Sequence, residues 1–122
     1  MPKGEYGDIH PQGETDSRLD ERHAEMCKVF TNAARIRILN LLREGERPVG
    51  ELAEALGVAQ PTVSKHLIAM RERGVLASRK EGASVYYRVA NRKVLKAFDL
   101  IREALVEGLR EGARLAGEAR RS

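Results

Sequence analysis

Between residues 60 and 67 the chain reads QPTVSKHL. Gln60, Thr62, Ser64 and Lys65 bring a carboxamide, two hydroxyls and an ammonium into one short run. A carboxamide donates and accepts at once, so it fits a planar edge that presents both functions. Hydroxyls and an ammonium suit anionic oxygens. A second grouping has softer chemistry. His23 and Cys27 stand four apart, and an imidazole with a thiolate can ligate zinc or copper. Cys27 also shares a helical stripe with Met26 and Phe30, so packing as a small hydrophobe is the competing reading. Nucleophilic catalysis would need an activating base and a third, orienting group. His23 and Cys27 are the only pair of that type, and no phosphate loop or nucleotide fingerprint occurs. Neither an enzyme nor a bound cofactor is expected.

The chain of 122 residues is of single-domain size, with 4% aromatic residues and no Trp. Its core must therefore be built from Leu, Val, Ile and Ala. No run approaches the length of apolar sequence that a membrane span needs, and MPKGEYGDIHPQGETDS has no apolar signal region, so export is not expected. The single cysteine excludes an internal disulfide and fits a reducing cytoplasm. Charge is unevenly placed. Residues 1–31 carry four basic and seven acidic side chains, whereas residues 60–93 carry eight basic side chains against Glu72 and Glu81. Such a basic concentration is either a solvated face or a surface for a polyanion, whose condensed counterions it would release.

The elements that must position these groups follow from periodicity and punctuation. Residues 1–16, rich in Gly and Pro, read as a flexible arm. From Ser17 to Thr31, the residues Leu19, Met26, Cys27 and Phe30 line one helical stripe. Asn32 caps a second helix, AARIRILNLLRE, that ends before Gly45, and Pro48 opens the next turn. A third helix covers roughly Val49 to Leu56 and stops at Gly57. The fourth starts at Pro61, a favourable first helical position, and ends at Gly74. Two β-type runs follow, separated by Lys80-Glu81-Gly82-Ala83. Asn91 then caps a last helix in which Val94, Phe98, Ile101, Leu105 and Leu109 recur every three or four residues. The fold class is mostly α with a small β-hairpin, in the order α-α-α-α-β-β-α. One domain over residues 17–111 is expected, with residues 112–122 a frayed tail because Gly108, Gly112 and Gly117 weaken the helix.

Ala53, Gly57 and Val63 have the spacing of a helix-turn-helix: a small residue where two short helices cross, a glycine for a left-handed turn, and an apolar residue pointing back into the angle. With Val63, Leu67 and Met70 buried, the opposite face carries Pro61, Thr62, Ser64, Lys65 and Ile68, with Gln60 at its entrance. In a helix-turn-helix the start of the second helix enters the major groove. There Gln can read adenine, Ser and Thr can bond base edges or phosphates, and Lys can reach guanine or the backbone. A hairpin with Arg79 and Lys80 at its tip makes a wing able to touch a neighbouring phosphate. The expected partner is double-stranded DNA. A winged helix used for protein interaction, or as a sequence-indifferent architectural binder, is the alternative. Polar Gln60, Thr62 and Ser64 favour base readout over indifference.

The runs R-I-x-I-L, E-L-A-E-x-L, Q-P-T-V-S-x-H-L and E-G-x-x-V-Y-Y resemble those of the ArsR/SmtB family of repressors over about residues 24–90. The resemblance implies a homodimeric cytoplasmic repressor that an inducer releases from its operator. It places the dimer interface on the first and last helices, here on Leu19, Met26, Cys27, Phe30, Val94, Phe98, Ile101 and Leu105. The family's metal ligands do not carry over. Pro48 and Gly50 stand at the positions of its paired cysteines, and the last helix has Asp99, Glu103 and Glu107 but no His. His66 matches a structural position and is expected to be packed and hydrogen-bonded.

Overall fold

The computed structural model describes residues 17–121. Its elements are α1 (Ser17–Cys27), a 3₁₀ turn (Lys28–Thr31), α2 (Ala33–Leu41), β1 (Arg47–Pro48), α3 (Val49–Leu56), α4 (Gln60–Glu72), β2 (Leu76–Glu81), β3 (Ser84–Val89) and α5 (Arg92–Arg121). They fall into two compact units that divide between Ala90 and Asn91.

In the first unit the 3₁₀ turn and α2 to α4 gather around Val29, Ile38, Leu39, Leu52, Leu67 and Met70, none of which is exposed, while α1 buries no residue. Asn32 caps α2 as its sequence position requires: its Oδ1 accepts the N–H groups of Ala34 and Arg35. The first helix departs from the expected stripe. It ends at Cys27, and the tighter 3₁₀ turn breaks the 3.6-residue period, so that Val29 takes the buried position. Cys27 and Leu19 are exposed, while Met26 and Phe30 are half-buried.

The turn between α3 and α4 closes at Gly57, whose φ of +66° and ψ of +32° are left-handed. Val58 N–H donates to the Ala53 carbonyl at 3.2 Å, the wrap-around bond of a glycine-ended helix. Ala53 is buried in α3 beside it. Helix α4 then starts one residue before the expected Pro61, with Ala59 as its N-cap. Proline in that first turn has no N–H to leave unpaired.

The sheet holds three antiparallel strands in the order β1-β3-β2. The hairpin loop is shorter than the sequence suggests. Glu81 pairs with Ser84, leaving Gly82 and Ala83 alone at the tip, with positive φ at Gly82 only. Glycine at the first central position, and a residue of negative φ after it, is the sign pattern of a II′ turn. Sequence reasoning missed β1. Arg47 and Pro48 pair with Tyr87 and Tyr86, where Pro48 is expected to open a turn. Two residues ending in proline carry no alternating pattern from which a strand can be read.

The second unit is α5, capped by Asn91, whose Oδ1 accepts the Lys93 N–H at 2.9 Å. Val94, Leu95 and Phe98 are buried, whereas Leu100, Ile101, Leu105, Leu109 and Leu115 are at least half exposed. The helix runs to Arg121, beyond residue 111 where fraying is expected. Arg114 bonds both Glu111 and Glu118, three residues back and four ahead. Such pairs favour the helix and oppose the roughly 1 kcal/mol penalty of each interior glycine.

Leu67 is wholly buried on α4. Leu67→Ala should lower unfolding stability by about 2–5 kcal/mol, measured as a fall in the urea midpoint, with the circular-dichroism helix signal kept in the absence of denaturant.

Candidate nucleic-acid interface

Helix α4 presents two faces of opposite character. Val63, Leu67 and Met70 are buried to within 1% of full exclusion. Gln60, Pro61, Thr62, Lys65 and Ile68 are exposed, and Ser64 is half-buried at the flank. The residues expected to form one polar face therefore do share one side of one helix. Gln60 is the member set apart. A Cβ at Gly50 would lie 3.7 Å from its Oε1, so the carboxamide leans toward the start of α3. Ile68 keeps 40% of its surface, an apolar spot beside Lys65.

The end of α4 is tied at two points. Arg71 Nη1 donates to Ser78 Oγ on β2 at 3.1 Å. Arg73 Nε donates to Glu25 on α1 at 3.2 Å, and Glu25 also accepts from Lys28. The two cations hold the Glu25 carboxyl below the usual carboxylate range, Lys28 contributing most. Midway along α4, Arg35 of α2 donates from Nε to His66 Nδ1 at 3.2 Å. His66 is half-buried and bonded as its sequence position implies. Burial, then the Arg35 charge, push its pKa below the ordinary value of 6.5. The neutral ring accepts the arginine hydrogen bond; a protonated ring could not.

Of the wing's three cations, Arg88 lies on β3, while Arg79 and Lys80 on β2 differ in what surrounds them. Lys80 is exposed near the end of β2. Arg79 is engaged by Glu46 and Glu81 and lies over the Tyr86 ring. These two carboxylates raise the pKa of an already basic guanidinium further. Composition alone could not reveal this, because Glu46 lies 33 residues away and is delivered by the missed strand β1.

The profile of the bacterial regulatory protein arsR family matches residues 32–78, from the cap of α2 into β2. A "biofilm growth-associated repressor" of Agrobacterium fabrum is 33% identical over 78 residues, covering 64% of this chain and 67% of that protein. The chain belongs to the ArsR family. "HTH-type transcriptional regulator Rv0324" of Mycobacterium tuberculosis is 34% identical over 107 residues, covering 88% of this chain; the chain spans 47% of that relative's length. The solution structure of the homodimeric winged helix-turn-helix DNA-binding domain of Mb0332 from Mycobacterium bovis, described as a possible ArsR-family transcriptional regulator, superposes with a TM-score of 0.71. Its identity is 33%, and the match covers 81% of this chain and 92% of that one. The fold of this ArsR-family chain is thus the winged helix-turn-helix, with a third short strand beside the wing.

The soft-ligand candidates His23 and Cys27 are both exposed on α1. Among the described residues, no group of three or more His, Cys, Asp or Glu side chains is gathered as a metal ion would require. Asp99, Glu103 and Glu107 share a face of α5 with Arg102 and Arg110. Also among the described residues, no helix is long and apolar enough to cross a membrane.

The depressed pKa of His66 has a definite sign. The unfolded chain takes up this proton as pH falls through about 6.5 while the folded chain resists it, so the contribution is complete above that pH and is lost below it. Urea midpoints should therefore decline from about pH 6.5 to 5, and His66→Asn should flatten that decline. An unaltered slope in the variant would assign the decline to other groups.

Proposed function

We propose that this ArsR-family chain is a sequence-specific, homodimeric DNA-binding repressor acting in the cytoplasm, with no catalytic activity. The observation that carries this reading is the two-faced α4. Its buried Val63, Leu67 and Met70 orient it, and its exposed Gln60, Pro61, Thr62, Lys65 and Ile68, with Ser64 at the flank, face away from the core. In a winged helix-turn-helix that outer face enters the major groove, where Gln60, Thr62 and Ser64 can bond base edges and Lys65 can reach guanine or phosphate. Ile68 offers an apolar contact of the kind a thymine methyl takes. Lys80, on the wing, serves as a phosphate contact, and Arg79 lies beside it on the same strand.

The dimer reading is supported by Ile101 and Leu105. These are 56% and 60% exposed and continue the three-and-four spacing of Val94 and Phe98 along α5. Leu19, Met26, Cys27 and Phe30 on the first helical segment complete the proposed interface. The homodimeric state of Mb0332 and the repressor name of the Agrobacterium fabrum relative point the same way. A two-fold dimer would read a near-palindrome with half-sites about one helical turn, roughly 34 Å, apart. Replacing Ile101 and Leu105 together by Glu should yield a monomer in sedimentation at micromolar concentration. A dimer unaffected by the double change would move the interface off α5.

Base-reading and phosphate-holding residues should separate in a binding assay. Gln60→Ala should cost roughly 1–3 kcal/mol on the cognate duplex and little on random duplex. Lys80→Ala should weaken all sequences alike and lower the magnitude of the salt slope by about one. If Gln60→Ala also weakened all sequences alike, the chain would be a sequence-indifferent binder.

A further inference from the structure

The outer face of the wing holds a charge cluster that the reading of α4 leaves unused. Arg79 Nε donates to both carboxylate oxygens of Glu46 at 3.0 Å, its Nη2 donates to Glu46 again, and its Nη1 donates to Glu81. All three guanidinium nitrogens are thus committed to carboxylates. The guanidinium carbon lies 4.6 Å from the centre of the Tyr86 ring, within cation–π range. Tyr86 is the cross-strand partner of Arg79 in the β2–β3 ladder. Pairing of Arg47 with Tyr87 on the other side of β3 sets the preceding Glu46 opposite Arg88, on the face that Tyr86 and Arg79 share. Arg88 adds to the pull that keeps the Glu46 carboxyl below the usual range, after the larger effect of Arg79.

Two carboxylates around the Arg79 guanidinium offset its charge toward a polyanion. Exposed ion pairs of this kind contribute little to stability. A backbone phosphate, itself able to accept two parallel N–H bonds, can therefore compete for the same fork. We propose that Glu46 is a positioning residue that sets operator affinity by holding Arg79 in the free protein, so that Arg79 reaches DNA only in competition with this carboxylate. The inference rests on the DNA-binding reading above and adds to it a residue outside the recognition helix and the wing strands.

The test is duplex binding by the full chain over a range of salt. It compares wild type, Glu46→Gln, Arg79→Ala and the double variant, with Lys80→Ala alongside. Glutamine keeps the length of the side chain and removes its charge. Releasing Arg79 to one more phosphate should raise the magnitude of the salt slope by about 0.9. Affinity should then fall about 3.5-fold further than wild type between about 50 and 200 mM salt. On random duplex the gain should match that on cognate duplex, because phosphates carry no sequence. In the Arg79→Ala background Glu46→Gln should change nothing. Two results would overturn the proposal: a slope unchanged by Glu46→Gln, or one steepened equally with and without Arg79, which marks plain relief of carboxylate–phosphate repulsion. If Lys80→Ala still flattens the slope in either case, the DNA-binding reading stands and only the role of Glu46 falls. Absence of duplex binding by wild type would remove both.

Discussion

A thirteen-residue helix with one apolar stripe has a single way to be buried, and the molecule is organised around that constraint in α4. Val63, Leu67 and Met70 recur at intervals of four and three residues and are almost completely excluded from solvent. Once they are seated, the direction of every other side chain on α4 is decided by helix geometry. The surrounding elements secure that seating: the left-handed Gly57 aims the helix, Arg35 holds its middle through His66, and Arg71 and Arg73 fasten its end to β2 and α1. The core thus sets the direction of the polar face, whose Pro61, Thr62, Lys65 and Ile68 remain exposed.

Electrostatics divides the basic side chains by what already surrounds them. Total charge suggests a broad positive surface, yet Arg73 and Arg79 are paired with carboxylates within the first unit. Lys65 and Lys80 are exposed on α4 and on the wing. Arginine's fork is suited to fixed internal geometry, while lysine's compact ammonium stays hydrated on a flexible stem. Counting basic residues along the sequence therefore overstates what a polyanion meets, and the positions of three glutamates correct the count.

What was legible in the sequence follows from the range of the signal. Helices α2 to α4, the glycine stops of α3 and α4, the Asn32 and Asn91 caps and the outward side of α4 all come from patterns within a dozen residues; α2 itself stops at Leu41, short of Gly45. The tethering of His66 was readable from the family resemblance. The features that escaped depend on partners remote in sequence or on small local balances. Strand β1 exists only because Tyr86 and Tyr87 lie alongside it. The engagement of Arg79 needs Glu46, which that strand delivers. The shift of burial from Cys27 to Val29 follows a change from α to 3₁₀ winding that periodicity cannot register. At the end of α5, the pairs around Arg114 act against the glycines that suggested fraying.

Among the described residues, the strand order β1-β3-β2 leaves two margins without a paired strand, and their makeup bears on how the protein behaves at high concentration. An uncovered strand is a template on which another chain can add, the first step toward insoluble aggregates. Here one margin is two residues long and ends in Pro48, which has no N–H to offer an incoming strand. The other runs through Arg79, Lys80 and Glu81, whose charges an added strand would have to desolvate. Both margins thus oppose growth of the small sheet from copy to copy.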